Sequence, residues 1–155
     1  MFFFPFKDDN PTSIKPYISW FLIALCTVVF LYQIVLDQSE FNAFIISFGI
    51  TPINLINSPN NQWFTIISSM FLHGNISHLM GNMVYLWIFG DNIEDSFGRF
   101  RFIIFYILCG LSAVFAQILY NPTSSVPMIG ASGAIAGILG AYIVMSVSYT
   151  HLRAH

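Results

Sequence analysis

Charge is what this 155-residue sequence has least of: Lys, Arg, Asp and Glu make up 8% of it, against about 25% in a typical soluble domain. So few charges do not coat a water-exposed surface, and with 56% hydrophobic residues much of the surface must face lipid. The five Lys and Arg form no basic patch, which excludes nucleic acid as a partner. Cys26 and Cys109, the two cysteines, lie inside apolar runs, where a thiol is usually a small apolar filler and a disulfide is disfavoured.

Four stretches are candidates to cross a bilayer, which takes about 20 residues: 18–36, 77–94, 102–120 and 128–149. Backbone polar groups in lipid must be paired within the segment, so these stretches are predicted to be helices. The sequence therefore predicts an all-α, polytopic membrane helix bundle with four transmembrane helices. We interpret residues 1–155 as a single domain that contacts the lipid bilayer.

The positions of Lys and Arg predict the orientation of these helices. Lys7 and Lys15 precede the first helix, Arg99 and Arg101 lie between the second and third, and residues 37–76 and 121–127 have neither. Loops rich in Lys and Arg stay in the cytoplasm, so residues 1–17 are expected there and residues 37–76 outside. The apolar start, residues 1–6, is too short for a signal peptide. With no transit peptide visible, we expect a multi-pass protein of a bacterial inner membrane.

The long loop, residues 37–76, is not plainly hydrophilic. Short apolar runs alternate in it with Pro, Asn and Gly. This pattern predicts short segments that lie in the membrane interface, with Trp63 near the depth of the lipid headgroups.

Three polar side chains are expected near the outer ends of the predicted helices. His78 and Asn82 are four residues apart on the second helix and therefore share a face, and Ser132 lies near the outer end of the fourth. Polar groups within a membrane span are costly, which favours a functional reading. Each also has a plain structural reading: serine bonded to its own backbone, histidine merely buried, and asparagine joining two helices.

Small residues on the fourth helix indicate close helix packing. Gly133, Gly137 and Ala141 recur at every fourth position, and the second helix, with Gly81 between its two polar residues, is the expected neighbour. The hydrolase pattern G-x-S-x-G is excluded because Ala134 occupies its last position. A metal site is disfavoured because the histidines lack grouped ligands, and no cofactor is expected.

Two segments resemble the rhomboid family of intramembrane serine proteases: FLHGNISHLMGNMVYLWIFGDNIEDSFG and, downstream, MIGASGAIAGILGAY. The resemblance covers about residues 63–142. It implies that Ser132 is the nucleophile, that Asn82 stabilises the oxyanion and that His78 assists it. It also places His73 near the outer rim of the site and Gly130 just before the nucleophile. The implied partners are transmembrane protein substrates.

The resemblance also implies a catalytic histidine on a sixth helix, which the sequence does not reach. His151, 19 residues after Ser132, would lie about 28 Å along a continuous helix, too far to serve as the base. We therefore expect a fragment that is inactive alone, and we interpret residues 146–155 as a non-native tail. The alternatives are a non-catalytic rhomboid-like protein that binds client helices, and a generic helix bundle such as part of a transporter.

Overall fold

The computed structural model describes residues 12–153, with the backbone alone described for residues 147–153. All regular elements in that part of the chain are helical, which confirms the predicted fold class. Residues 1–11, most of the expected cytoplasmic segment, and residues 154–155 of the suspected tail lie outside the described residues. The elements are α1 (Tyr17–Gln33), α2 (Gln38–Phe48), α3 (Pro52–Asn57), α4 (Pro59–Gln62), α5 (Thr65–Ser68), a 3-10 turn (Ser69–Phe71), α6 (Ile76–Phe97), α7 (Arg99–Tyr120) and α8 (Ser132–Arg153).

Among residues 12–146, helix α7 is the one helix that is both long and apolar enough by composition to cross a membrane. The helix α1 and residues Ser132–Ser146 of α8 are apolar but shorter. The helix α6 has 22 residues, but three of them are acidic: Asp91, Glu94 and Asp95. The count of four transmembrane helices therefore stays a prediction.

Glu94 joins α6 to the start of α1. Its carboxylate accepts hydrogen bonds from the backbone N–H of Ile18 (3.0 Å) and of Ser19 (2.8 Å) and from the Ser19 hydroxyl (2.9 Å). The first N–H groups of a helix have no partner within it, and Pro16, which precedes α1, offers no capping side chain. The fully buried Glu94 thus caps α1 from a neighbouring helix.

The long loop forms a series of short helices, and their position in the membrane interface stays a prediction. The first, α2, begins with a capping box in which Asp37 accepts from the Glu40 N–H while the Glu40 side chain accepts from the Asp37 N–H. Three rings then pack in sequence: Phe44 and Phe48 lie 4.7 Å apart, and Phe48 and Phe64 lie 6.2 Å apart. These contacts hold α2 against the segment that leads into the site.

The prediction that the last helix starts at residue 128 is wrong, because residues 128–131 are not helical. Met128 instead pairs with Ile50 of the long loop through two backbone hydrogen bonds of 2.8 and 3.1 Å. Gly130 has a φ of +117°, a conformation open mainly to glycine. The helix therefore begins at Ser132, with the candidate nucleophile in its first turn.

The small-residue stripe of α8 packs closely, but against α7 and not against α6 as expected. A side chain added at Gly133 would clash with Ala113, and one at Gly137 would clash with Cys109. On α6, Gly81 has no described neighbour within 4 Å. The close approach of α6 to another helix lies instead at Gly90, where an added Cβ would lie 2.9 Å from the Ser19 hydroxyl oxygen of α1.

Candidate active site

His73 lies in the short link between the 3-10 turn and α6, and its side chain is fully buried. The side chain of Gln33, the last residue of α1, holds the backbone of His73 with two hydrogen bonds. The Gln33 Oε1 accepts from the His73 N–H at 3.1 Å, and the Gln33 Nε2 donates to the His73 carbonyl at 3.0 Å. His73 is thus enclosed and fixed, and its place near the outer rim of the site, which the resemblance implies, stays a prediction.

Helix α6 presents His78 and Asn82 on consecutive turns of one face. The Asn75 side chain caps the helix by accepting from the His78 N–H at 2.8 Å, which sets where the helix begins. Asn82 is buried, and its Nδ2 lies 3.0 Å from the His73 Nε2. The rings of His73 and His78 meet edge to face, with centroids 5.2 Å apart. The three polar side chains therefore form one cluster.

The His73 ring stays neutral near pH 7. Burial, and then the charge of neighbouring His78, lower the pKa of His73 from 6.5 to about 4. In a neutral ring one nitrogen accepts, so with its proton on Nδ1 His73 accepts at Nε2 from the Asn82 amide. The Nδ1 atom is buried and has no partner among the described residues. The Asn82 amide nitrogen then keeps its second hydrogen for another acceptor.

Gly130 brings the segment before Ser132 against this cluster. A Cβ added at Gly130 would lie 2.7 Å from the His78 Nε2 and 3.6 Å from the Asn82 Nδ2, so its backbone passes directly beside both side chains. Its N–H donates to the Ser69 carbonyl at 2.8 Å, which ties the segment to the long loop. Only glycine fits this position, because its φ is positive and a side chain would meet the His78 ring.

Ser132 is exposed at the start of α8, and it lines a cavity of about 210 Å³. The cavity lies beside α7, which contributes Ala113 and Gln117, and beside Ser69 and Met70 of the long loop. Among the hydrogen bonds of the described residues, none joins the Ser132 hydroxyl to His78 or Asn82. The segment that carries Ser132 therefore meets His78 and Asn82 at Gly130, and not through the Ser132 hydroxyl.

The start of α8 also offers backbone donors. The first hydrogen bond of this helix runs from the Ile135 N–H to the Ala131 carbonyl, so the preceding N–H groups, from Ser132 onward, have no partner within the helix. The positive end of the helix dipole lies at the same point. Negative charge beside Ser132 is stabilised by both. Among the side chains of residues 12–146, no three His, Cys, Asp or Glu come together as metal ligands.

Gln33 is the site residue that the sequence did not reveal. It lies inside the apolar stretch 18–36, which the sequence predicts as one continuous span. A carboxamide within that span was the available signal, but its partner is His73, which is 40 positions away in the chain.

Comparison with known proteins identifies the family to which this chain is similar. The family model described as a rhomboid domain matches residues 60–154. Rhomboid protease GluP of Bacillus subtilis is 31% identical over 134 residues, 86% of this chain and 25% of that protein. Rhomboid protease AarA of Providencia stuartii is 29% identical, over 89% of this chain and 57% of that protein. Rhomboid-like protein 11, chloroplastic, of Arabidopsis thaliana is 31% identical over 56% of this chain and 31% of that protein. The chain thus spans between a quarter and just over half of these relatives.

Proposed function

The chain belongs to the rhomboid family, a family of integral membrane proteins, and we propose that it carries the nucleophile and the oxyanion-binding groups of an intramembrane serine endopeptidase. Its substrates are transmembrane segments of other membrane proteins. One observation carries the proposal: Gly130, two residues before Ser132, lies against both His78 and Asn82. A serine at a helix start beside an imidazole and a carboxamide is an arrangement suited to acyl transfer.

In this mechanism the Ser132 hydroxyl attacks the substrate carbonyl carbon, and negative charge develops on the carbonyl oxygen. The free hydrogen of the Asn82 amide, the His78 ring and the N–H groups at the start of α8 donate to that oxygen. Each fixed donor in a dry site contributes about 3 kcal/mol to transition-state stabilisation. Asn82 is buried and held by His73, so it is already oriented before substrate arrives.

Deprotonation of Ser132 requires a general base. His73 is bonded to Asn82, and His78 lies against Gly130, so neither is assigned that role. The described helix α8 runs without a break from Ser132 to Arg153, which puts the backbone of residue 151 about 28 Å from Ser132. We assign the base to no residue of the described chain. The family resemblance implies a histidine on a later helix.

The test uses the protein expressed from its full reading frame and reconstituted in vesicles with a model transmembrane substrate. We expect a fluorophosphonate probe to label the wild type, and Ser132→Ala to abolish both labelling and cleavage. Asn82→Ala should lower kcat by about 100-fold or more while the protein stays folded. Labelling or cleavage that survives Ser132→Ala would refute the assignment.

The same experiment separates a second function, a non-catalytic protein that binds client helices. That function predicts no labelling of Ser132 and no cleavage, while a substrate helix still co-purifies with the protein. A generic bundle predicts neither cleavage nor selective binding, and no particular effect of Asn82→Ala on either.

A further inference from the structure

We infer that Gln33 is a positioning residue for the oxyanion-binding Asn82, acting through His73, an inference that rests on the proposed function. Gln33 does not touch the space beside Ser132. It lies at the end of α1, and it reaches the site through two hydrogen bonds to one residue of a neighbouring loop.

The first step is the pair of hydrogen bonds between Gln33 and the His73 backbone. The carboxamide of Gln33 is fully buried, and both its oxygen and its nitrogen are used on His73. This pairing resembles that of two β-strands, since one group satisfies both the N–H and the C=O of the same residue. The link before α6 lies outside any helix, so its backbone is fixed at this point by α1.

The second step runs from the His73 backbone to the Asn82 amide. The His73 ring is fully buried, so it moves with its backbone. Its Nε2 lies 3.0 Å from the Asn82 Nδ2. Of the two hydrogens on Nδ2, one points to His73, and the direction of the other follows from it. A shift of the His73 backbone therefore turns the hydrogen that the oxyanion would receive.

The third step is energetic. Buried backbone N–H and C=O groups without partners are costly, so losing the Gln33 bonds forces the His73 link to find others. Any such rearrangement displaces the ring. Misplacement of a catalytic group by about 1 Å costs on the order of 100-fold in rate, so a partial shift should cost about tenfold.

Gln33→Met tests this inference, because methionine has a similar size but makes no such hydrogen bonds. In the vesicle assay we expect kcat to fall about tenfold and KM to stay within about twofold. In an Asn82→Ala background the same change should cost nothing further, because the group it positions is gone. A role in general stability would lower activity by the same factor in both backgrounds.

The matched control is Ser19→Ala, a buried polar residue at the other end of α1. Its hydroxyl donates to Glu94 at 2.9 Å, so the variant also loses a buried hydrogen bond of the same helix. We expect it to lower stability and to leave kcat unchanged. If Ser19→Ala lowers kcat as much as Gln33→Met, the positioning role is refuted and Gln33 is only a stabilising residue.

Gln33→Glu provides a conditional rescue. A neutral carboxylic acid both accepts and donates, so it can restore both bonds to His73, whereas a carboxylate cannot donate to the His73 carbonyl. The kcat of this variant relative to the wild type should therefore rise as the pH is lowered. Taking the ratio cancels the pH dependence that the variant shares with the wild type. A ratio that does not change with pH would count against the hydrogen-bonded mechanism.

The outcomes distinguish this inference from the proposed function. If the wild type does not cleave, or if Ser132→Ala cleaves, the protease proposal fails and the positioning role fails with it. If Ser132→Ala is inactive but Gln33→Met keeps the wild-type kcat, the positioning role alone is refuted.

Amide hydrogen exchange at His73 provides a readout without catalysis. Gln33→Met should accelerate exchange there, and unchanged protection would overturn the first step.

Discussion

Replacing Glu94 by glutamine changes the group that caps α1 while keeping its size. The carboxylate accepts three hydrogen bonds, one at Oε1 from Ile18 and two at Oε2 from Ser19. A carboxamide has only one oxygen. If that oxygen keeps both bonds to Ser19, the new amide nitrogen faces the Ile18 N–H, and two donors then oppose each other.

The expected loss of stability follows from these contacts. An unpaired buried N–H of Ile18 costs about 1–3 kcal/mol. The two remaining bonds become neutral and are each weakened by about half, to roughly 1 kcal/mol apiece. The attraction of the charge to the positive end of α1 contributes a further 0.5–1 kcal/mol or so. The edge contact with Arg99, at 4.0 Å, is half exposed and adds little. Together we expect Glu94→Gln to lower the free energy of unfolding by about 3.5–6 kcal/mol.

Unfolding in mixed detergent micelles, with increasing mole fraction of dodecyl sulfate, measures this quantity through tryptophan fluorescence and circular dichroism. The control is Glu40→Gln, the same chemical change in the exposed capping box of α2, where Glu40 accepts from the Asp37 N–H at 3.1 Å. We expect the control to cost less than about 1 kcal/mol. Equal losses in the two variants would show that Glu94 does not cap α1 as described.

Three further predictions follow from the same structure. Gly130→Ala should abolish cleavage and destabilise the protein by about 2 kcal/mol, because its φ is +117° and its Cβ would meet an imidazole. Gly140→Ala, inside α8 with no described atom within 4 Å, should instead leave the stability unchanged or raise it by up to about 1 kcal/mol. Gly137→Ala should destabilise the contact between α7 and α8, because the added Cβ would meet the Cys109 side chain. Cys109→Gly should recover part of the lost free energy of unfolding, and a double-mutant cycle measures how much. The pKa of His73 is about 4 in the folded protein and near 6.5 in the unfolded chain, so the free energy of unfolding should fall by on the order of 1 kcal/mol as the pH drops from 7 to 5. The variant His73→Asn should lose this pH dependence. A dependence that persists in the variant would assign it to another group.

Local patterns in the sequence predicted much of this fold. Long apolar runs predicted α1 and α7, and the cost of polar groups within a span singled out His78 and Asn82 on one face of α6. These inferences hold because helix periodicity and the cost of burying polar groups act within a few neighbouring residues. The capping Asn75 and the glycine at position 98 set the bounds of α6, and both are local as well.

The errors arose where a distant residue decides the conformation. Residues 128–131 are as apolar as a helix, and the pairing of Met128 with Ile50 and the positive φ of Gly130 keep them out of it. A stripe of small residues shows that a helix has a close neighbour but not which one, so α7 was missed as the partner of Gly133. The same limit hid Gln33, whose function depends on His73.

The partner of the Ile18 and Ser19 amides is made late during synthesis. Glu94 follows Ser19 by 75 positions, and ribosomes add about 5–20 residues per second, so α1 leaves the ribosome roughly 4–15 seconds before the carboxylate that completes its first turn. Until Glu94 is made, no carboxylate is present to accept from those amides, and the first turn of α1 is completed only when α6 packs beside it.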